Sequence, residues 1–245
     1  MIEVEGLEKS FKTVQALRGV SFAASDGEIT GLIGPNGAGK TTTLRILYTV
    51  LRPDRGSARI DGFDSRREPR EVQRRIGVLA DSRGLYPRLT AREHVRYFGR
   101  LHGLAGASLE ARIDELVRML DMNDIADRRT KGFSKGQTMK VALARALVHN
   151  PHNVLLDEPT NGLDVGAARA VRDLIRRIRD EGRCVLFSSH IMSEVEELCD
   201  KLVVVGHGVV LANGTVAELR ARTGKHDLEE AFLRATETGP ETGAP

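Results

Sequence analysis

The sequence predicts an α/β protein built on a mainly parallel sheet, with an N-terminal antiparallel β region ahead of it and a block of helices inserted into it. Three observations predict it. A Gly-rich loop, Gly34-Pro35-Asn36-Gly37-Ala38-Gly39-Lys40-Thr41, stands between a short apolar run and an amphipathic one. After Asn153, apolar strands alternate with helical patterns, as they do where crossover helices cover both faces of a parallel sheet. Between about Thr90 and His149 the apolar spacing is helical.

In chain order, Ile2, Val4 and Leu7 open a first strand and Val20-Ser21-Phe22-Ala23 a second. Asp26-Gly27 then reads as a hairpin-type turn. Glu28–Ile33 is a strand running into the Gly-rich loop, and Thr42–Tyr48 is a helix with Leu44, Leu47 and Tyr48 on one face. Arg52–Gly56 is a turn, Ala58–Gly62 a short strand into another turn, and Ile76–Ala80 a strand ending at Asp81. In the helical block, Tyr97, Phe98 and Leu101 make one apolar face and Ile113, Leu116, Val117 and Leu120 another. The sheet resumes with Asn153–Leu156, ending in Asp157-Glu158-Pro159. A helix from about Val165 to Glu181, the strand Cys184–Ser188, a helix carrying Val195 and Leu198, and the strands Leu202–Val205 and Val209–Leu211 follow. No internal repeat is visible. The expected organisation is one domain over residues 1–235, a helical subdomain over about 82–150, and a disordered tail over 236–245.

The 245 residues are enough to bury a substantial core. No apolar run approaches the roughly 20 residues that cross a bilayer, and Met1–Glu5 lacks the basic start and apolar core of a signal peptide. Cys184 and Cys199 have neither metal-ligand nor redox spacing, so both are expected to be structural thiols in a reducing cytoplasm. The net charge is only +3, and the Arg66–Arg75 stretch is broken by Glu68 and Glu71 without interleaved aromatics. That is a solvated helix face, and no nucleic-acid partner is expected.

The Gly-rich loop carries the first chemistry. Gly34, Gly37 and Gly39 let the backbone curl and bring N–H groups close to an anion, and the helix behind them offers the positive end of its dipole. Lys40 supplies a mobile charge for the β- and γ-oxygens of a nucleoside triphosphate, and the Thr41 hydroxyl can ligate Mg²⁺. A Gly-rich turn without a ligand is the plainer reading, but the complete pattern between strand and helix points to a bound triphosphate. Phe11, ahead of the loop, either stacks on a base or packs in the core.

An apolar strand ending in Asp157 is the Walker B arrangement, which holds Mg²⁺ through water. Glu158 comes next and could accept a proton from an attacking water. Adjacent strand residues face opposite ways, so the strand must bend at its end to bring both carboxylates into one site. Ser134 and Gln137, in Gly132-Phe133-Ser134-Lys135-Gly136-Gln137, have capping-box spacing, and a Ser and Gly at a helix start also suit a phosphate. His94, His102, His149, His152, His207 and His226 read as surface residues without a metal-ligand cluster.

These motifs, with Asn161-Gly162-Leu163-Asp164 and His190, follow the order found in the ATP-binding cassette ATPases, which the chain resembles from Ile2 to about Leu233. Within that family, Gly132–Gln137, Asp157–Asp164 and Phe187-Ser188-Ser189-His190 look like the ATPase subunits of sodium-extruding exporters of the NatA type. The resemblance implies a P-loop NTPase with a RecA-like core, ATP and Mg²⁺ as ligands, and a head-to-tail pair of subunits. It also implies that Pro35, Asn36, Ala38 and Thr42 join the loop's glycines in binding nucleotide, and that Phe11 stacks on adenine. Glu158 would polarise the attacking water beside Lys40, His190 would contact the γ-phosphate, and Asp164 would communicate across the dimer. Ser134, Lys135, Gly136 and Gln137 would face the nucleotide of the other subunit.

Two positions depart from the family pattern. Asp81 stands where a Gln is common, as a candidate metal ligand with Thr41 and Asp157, and Lys135 replaces the first signature glycine. The leading expectation is the ATPase of an exporter, homodimeric, peripheral on the inner face of the cell membrane and driving a separate integral permease, with sodium the cargo that the resemblance implies. The alternatives are a soluble non-transport ATPase acting on ribosomes, DNA or cofactor assembly, and a catalytically dead regulatory cassette. Coupling to the permease is expected near Arg83-Gly84-Leu85-Tyr86-Pro87, a Gly/Pro-punctuated loop beside Asp81.

Overall fold

The computed structural model describes residues 1–81 and 84–238. In chain order the elements are β1 (Ile2–Phe11), β2 (Val14–Ala24), β3 (Ile29–Ile33), α1 (Lys40–Leu47), β4 (Arg55–Ile60), β5 (Phe63–Asp64), α2 (Pro69–Arg75) and β6 (Ile76–Leu79). Then come α3 (Ala91–Leu101), α4 (Gly106–Met119), α5 (Lys135–Leu147), β7 (Asn153–Asp157), α6 (Val165–Asp180), β8 (Cys184–Ser189) and α7 (Met192–Leu198). The chain closes with β9 (Lys201–Gly206), β10 (Val209–Gly214), α8 (Val216–Thr223) and α9 (Leu228–Thr238).

Among the described residues the strands form two sheets, an antiparallel one ordered β2-β1-β4-β5 and a second ordered β10-β9-β3-β8-β7-β6. In the second, β9, β3, β8, β7 and β6 are parallel and β10 is an antiparallel edge. Every residue of β3, β7 and β8 is buried, because both faces of this sheet are covered. On one face lie Val141, Leu143, Val154, Leu156 and Phe187 with the helices α3 to α6, and on the other Leu7, Leu44, Leu47, Leu155 and Leu186 pack towards the antiparallel sheet. A third cluster, around Val204, Leu211, Leu219 and Ala231, seats α8 and α9. The helical block α3–α5 lies in the chain between β6 and β7, which pair in parallel.

Four local expectations are corrected. Asp26-Gly27 does not close a hairpin: β2 pairs with β1, whereas β3 joins the other sheet, so this turn carries the chain between sheets. The hairpin is at Lys12-Thr13, flanked by the pair Phe11 and Val14, with Lys12 at φ 52°. On α3, Tyr97 and Leu101 are 48% and 64% exposed, and the buried face is Ala91, His94, Val95 and Gly99. Reciprocal capping by Thr90 and Glu93 fixes where α3 begins, and a one-residue change of phase turns the apolar residues outwards.

His94 is therefore a buried residue rather than a surface one, and His149 is half-buried. The Nε2 of His94 lies 3.1 Å from Tyr86 N and 3.2 Å from Tyr86 O, and burial pushes its pKa down. His149 stacks flat on His102 with centroids 3.6 Å apart, its Nε2 is 2.9 Å from the Ile76 carbonyl, and burial lowers its pKa to about 4. At the other end of the chain, residues 236–238 are not a disordered tail but the last turn of α9, because Ala231 and Ala235, one helical turn apart, anchor that helix on the third cluster. Residues 239–245 of the expected tail lie outside the described residues.

Candidate active site

The phosphate loop is shaped by what cannot fit. A Cβ on Gly34 would fall 2.2 Å from the Val205 carbonyl oxygen. Gly39 has φ 111° and a Cβ there would lie 2.7 Å from Leu17 Cδ2. Both positions exclude a side chain, one by crowding and the other also by its left-handed backbone. Gly39 is also the N-cap of α1 and no side chain caps that end, so the first N–H groups of the helix are free to face an anion.

Lys40, 6% exposed, curls back over the loop and donates to the Gly34 carbonyl at 2.6 Å and the Pro35 carbonyl at 3.2 Å. Its Nζ is 3.8 Å from Glu158 Oε1. Burial lowers its pKa, and the nearby charges of Glu158 and Asp157 work against that shift.

Asp157 ends β7 and is 1% exposed. Its Oδ1 accepts from the Ser188 hydroxyl at 2.6 Å and the Thr41 hydroxyl at 3.4 Å, whereas Oδ2 is buried with no partner. A buried carboxylate oxygen left open beside a hydroxyl is what a hard divalent cation needs, so the donor set fits Mg²⁺. Asp81, just past β6, stands exposed on the same cleft wall.

Glu158 supplies the bend that the carboxylate pair requires. It adopts φ 48°, the left-handed region, at a cost of about 1–2 kcal/mol for a non-glycine residue. Its N–H donates to the Ser188 hydroxyl at 3.0 Å, and one oxygen of its carboxylate, Oε2, is 2.8 Å from Nδ1 of His190. Ser188 thus bridges both acidic residues from the neighbouring strand, where it lies opposite Asp157.

The cleft these residues enclose has a volume of about 550 Å³. Pro35 to Thr42, Asp81, Glu158, Asn161 and His190 line it, and Phe11, Val14 and Ala16 form its outer wall. Phe11 is 42% exposed, which excludes the core alternative. Val14 went unread in the sequence, and Asn161 and Ser188, though they stand within motifs, were assigned no role of their own. The signal for Val14 was its place across the hairpin from Phe11, and for Ser188 a hydroxyl at the end of the strand beside Asp157.

Ser134, Lys135, Gly136, Gln137 and Asp164 do not border this cleft. Ser134 caps α5, accepting from Gln137 N at 3.1 Å while Gln137 Oε1 accepts from Ser134 N at 3.1 Å. Asp164 caps α6 through Ala167 N at 2.9 Å. The Lys135 side chain lies over Gly162, its Nζ 3.0 Å from where a Cβ would stand there. A Cβ on Gly136 would sit 3.6 Å from that of Ala167. The two helix starts therefore form one surface, on which Ser134, Lys135 and Asp164 are exposed.

Residues 17–161 match the family described as ABC transporter. The chain belongs to that family. It is 45% identical over 223 residues to the ABC transporter ATP-binding protein NatA of Bacillus subtilis (strain 168), covering 91% of each chain. It is 37% identical to the daunorubicin resistance ATP-binding protein DrrA3 of Streptomyces coeruleorubidus, over 97% of this chain and 75% of that protein. Among solved structures it superimposes on an ATP-binding subunit of an ABC transporter with a TM-score of 0.89 at 31% identity, over 96% of this chain and 99% of that one. The dimeric cassette MJ0796, bound to ADP and Pi after hydrolysis, gives 0.81 at 26% identity, over 88% of this chain and 98% of that one. The fold is thus the P-loop NTPase fold of ABC cassettes, and this ABC protein is an ATPase that works as the ATP-binding subunit of a transporter. Those relatives disfavour the non-transport alternative, and membership among the ATP-hydrolysing cassettes disfavours the dead one.

Proposed function

We propose that this ABC ATPase forms a homodimer on ATP, hydrolyses it with Glu158 as general base, and powers export through a separate permease on the inner face of the cell membrane. The observation that carries the proposal is the Glu158–His190 contact at 2.8 Å, poised over the phosphate loop in one cleft. ATP lies along that loop with its adenine on Phe11. Lys40 gives up the Gly34 and Pro35 carbonyls for β- and γ-oxygens. Glu158 accepts the proton of a water as its oxygen bonds to the γ-phosphorus, the bond to the β,γ-bridging oxygen breaks, and ADP and inorganic phosphate result. His190 holds the Glu158 carboxylate through Nδ1 and faces the γ-phosphate. Thr41, Asp157 and Asp81 would hold Mg²⁺, directly or through water, and the ion would neutralise phosphate charge. Ser134, Lys135, Gly136 and Gln137 of the second subunit close the cleft, which is why none borders it within one chain. The ammonium of Lys135, where a glycine is usual, adds positive charge facing a triphosphate.

Among the described residues no helix is long and apolar enough to cross a membrane, so the permease is a separate chain in this proposal. Its docking face is the groove of about 610 Å³ between α2, β6, α3 and α5. Arg70, Arg74, Arg145, His102 and His149 line that groove, with Phe98 and Leu101, and no carboxylate does among the described residues. Arg145 donates to the Gly84 carbonyl at 3.1 Å, which joins the groove to the loop expected to carry coupling. Residue 83 of that loop lies outside the described residues. Sodium as the cargo is supported by the resemblance of Gly132–Gln137, Asp157–Asp164 and Phe187–His190 to the sodium-extruding exporters.

The test is a pull-down of tagged Glu158→Gln protein with ATP and Mg²⁺ from detergent-solubilised membranes of its own cells. A polytopic membrane protein in near-equal amount is expected, and that pair reconstituted in vesicles should move sodium. Ribosomal or DNA-bound partners with no membrane protein would overturn the transport function. In the isolated dimer, Phe11→Ala should weaken ATP binding roughly tenfold, at the low end of the roughly 1–3 kcal/mol that stacking a base on an aromatic ring contributes. An unchanged Kd by fluorescence titration would remove Phe11 from the site.

A further inference from the structure

Beneath the cleft, and outside its lining, lies a carboxylate for which the hydrolytic steps have no use. Glu194 is in the first turn of α7 and only 6% exposed. A buried carboxylate needs partners, and these are specific. Its Oε2 accepts from the Thr160 hydroxyl at 2.6 Å and from the Ser189 hydroxyl at 3.4 Å, and its Oε1 is 3.8 Å from the Arg172 guanidinium. The 2.6 Å separation is typical of a hydroxyl bonded to an ionised carboxylate. Glu194 also favours the positive end of α7, but no side chain caps that helix, so the carboxylate is turned to its neighbours instead.

Those neighbours are the two loops that build the hydrolytic site. Thr160 stands two residues after Glu158, inside a turn closed by Asn161 N to Glu158 O at 3.2 Å and Leu163 N to Thr160 O at 3.1 Å. That turn leads directly to Asp164. Ser189 immediately precedes His190, and its hydroxyl also accepts from Ile191 N at 3.0 Å, wrapping the backbone around the histidine. One buried side chain therefore ties together, from below, the two loops whose side chains meet above at 2.8 Å.

We infer that Glu194 is a positioning residue for ATP hydrolysis: by locking Thr160 and Ser189 it holds Glu158 against His190 and keeps the turn to Asp164 at a fixed height. This rests on the proposed roles of Glu158 and His190. Glu194 lies outside the cleft lining, so its loss acts on the geometry of the reacting groups and leaves the nucleotide-binding loop alone.

The experiment measures kcat, KM and thermal unfolding of the Mg²⁺-dependent ATPase for Glu194→Gln, Glu194→Ala, Thr160→Val, Thr160→Ser and the double variant Thr160→Val/Glu194→Gln. Thr160→Val and Glu194→Ala are expected to lose about 10- to 100-fold in kcat, the cost of a small misplacement of reacting groups, with KM within about twofold of native. Thr160→Ser, which keeps the hydroxyl, should turn over at the native rate. The double variant should be no slower than the slower single one, because both changes break the same tie. If Glu194→Ala does not fold, the Thr160 variants decide. Native kcat in folded Thr160→Val, or losses that multiply in the double variant, overturns the inference. Glu158→Gln in the same assay separates the two readings. Loss of turnover there with native rates in the Thr160→Val and Glu194→Gln variants overturns this inference alone, whereas native turnover in Glu158→Gln overturns the site reading and this inference with it.

Discussion

Replacing Glu158 with Gln is expected to lower kcat by about 10²- to 10⁴-fold, the usual contribution of a general base, while ATP remains bound. The amide has the same shape as the carboxylate and its oxygen can still meet His190 Nδ1, now 2.8 Å from Glu158 Oε2, so the cleft should keep its geometry. What disappears is the ability to accept a proton at neutral pH. A negative charge is also removed from beside the position of the γ-phosphate, where two anions repel. Both effects act in one direction: ATP binds at least as well and is consumed far more slowly. The two-subunit state should therefore accumulate, doubling the mass measured by light scattering when ATP and Mg²⁺ are added. The variant also loses the countercharge 3.8 Å from Lys40, but the triphosphate supplies a stronger one. Wild-type turnover in this variant would dismiss Glu158 as the base. Slow turnover without a mass change would leave the base role intact and remove the link between ATP occupancy and dimerisation.

The parts of the molecule legible in the sequence are those where one physical requirement fixes the residue. Gly34 and Gly39 are glycines because a Cβ would collide with Val205 O or Leu17, and the run from Asn153 to Asp157 is apolar because β7 is buried throughout. The need for a bend after Asp157 followed from strand geometry alone, and the left-handed Glu158 provides it. Misreadings arose where two requirements compete. Tyr97 and Leu101 have helical apolar spacing, yet the capped start of α3 fixes a phase that buries His94 and exposes them. Asp26-Gly27 has hairpin chemistry, but which strands it joins is decided by sheet pairing far along the chain, β3 lying between β8 and β9. His149 looks like any surface histidine until the fold stacks His102 on it. The role of Ser188 was invisible for the same reason: its bonds to Asp157 and to Glu158 N exist only because β7 and β8 are neighbours.

Replacing Lys40 with Ala should abolish detectable ATP binding at micromolar nucleotide. The Lys40 side chain is only 6% exposed in the cleft floor, so the attraction of its ammonium to a phosphate oxygen is screened less than it would be in open water. Two unit charges about 4 Å apart at an effective dielectric of about 20 attract by roughly 4 kcal/mol, close to a thousandfold in Kd. The same substitution removes the donor that satisfies the Gly34 and Pro35 carbonyls, so the empty loop is loosened as well. Arginine should not rescue it, because a planar guanidinium cannot occupy a slot shaped around a single ammonium bonded to both carbonyls. Thermal unfolding should separate the causes. The core clusters do not include Lys40, so the apo variant should melt within a few degrees of wild type, while the stabilisation that ATP gives the native protein through mass action should vanish. A Lys40→Ala protein that binds ATP within about threefold of the native Kd would mean that the backbone N–H groups and the α1 dipole hold the triphosphate unaided. The lysine's charge would then act only on the transferring γ-phosphoryl group in the transition state, and its loss would appear in kcat alone.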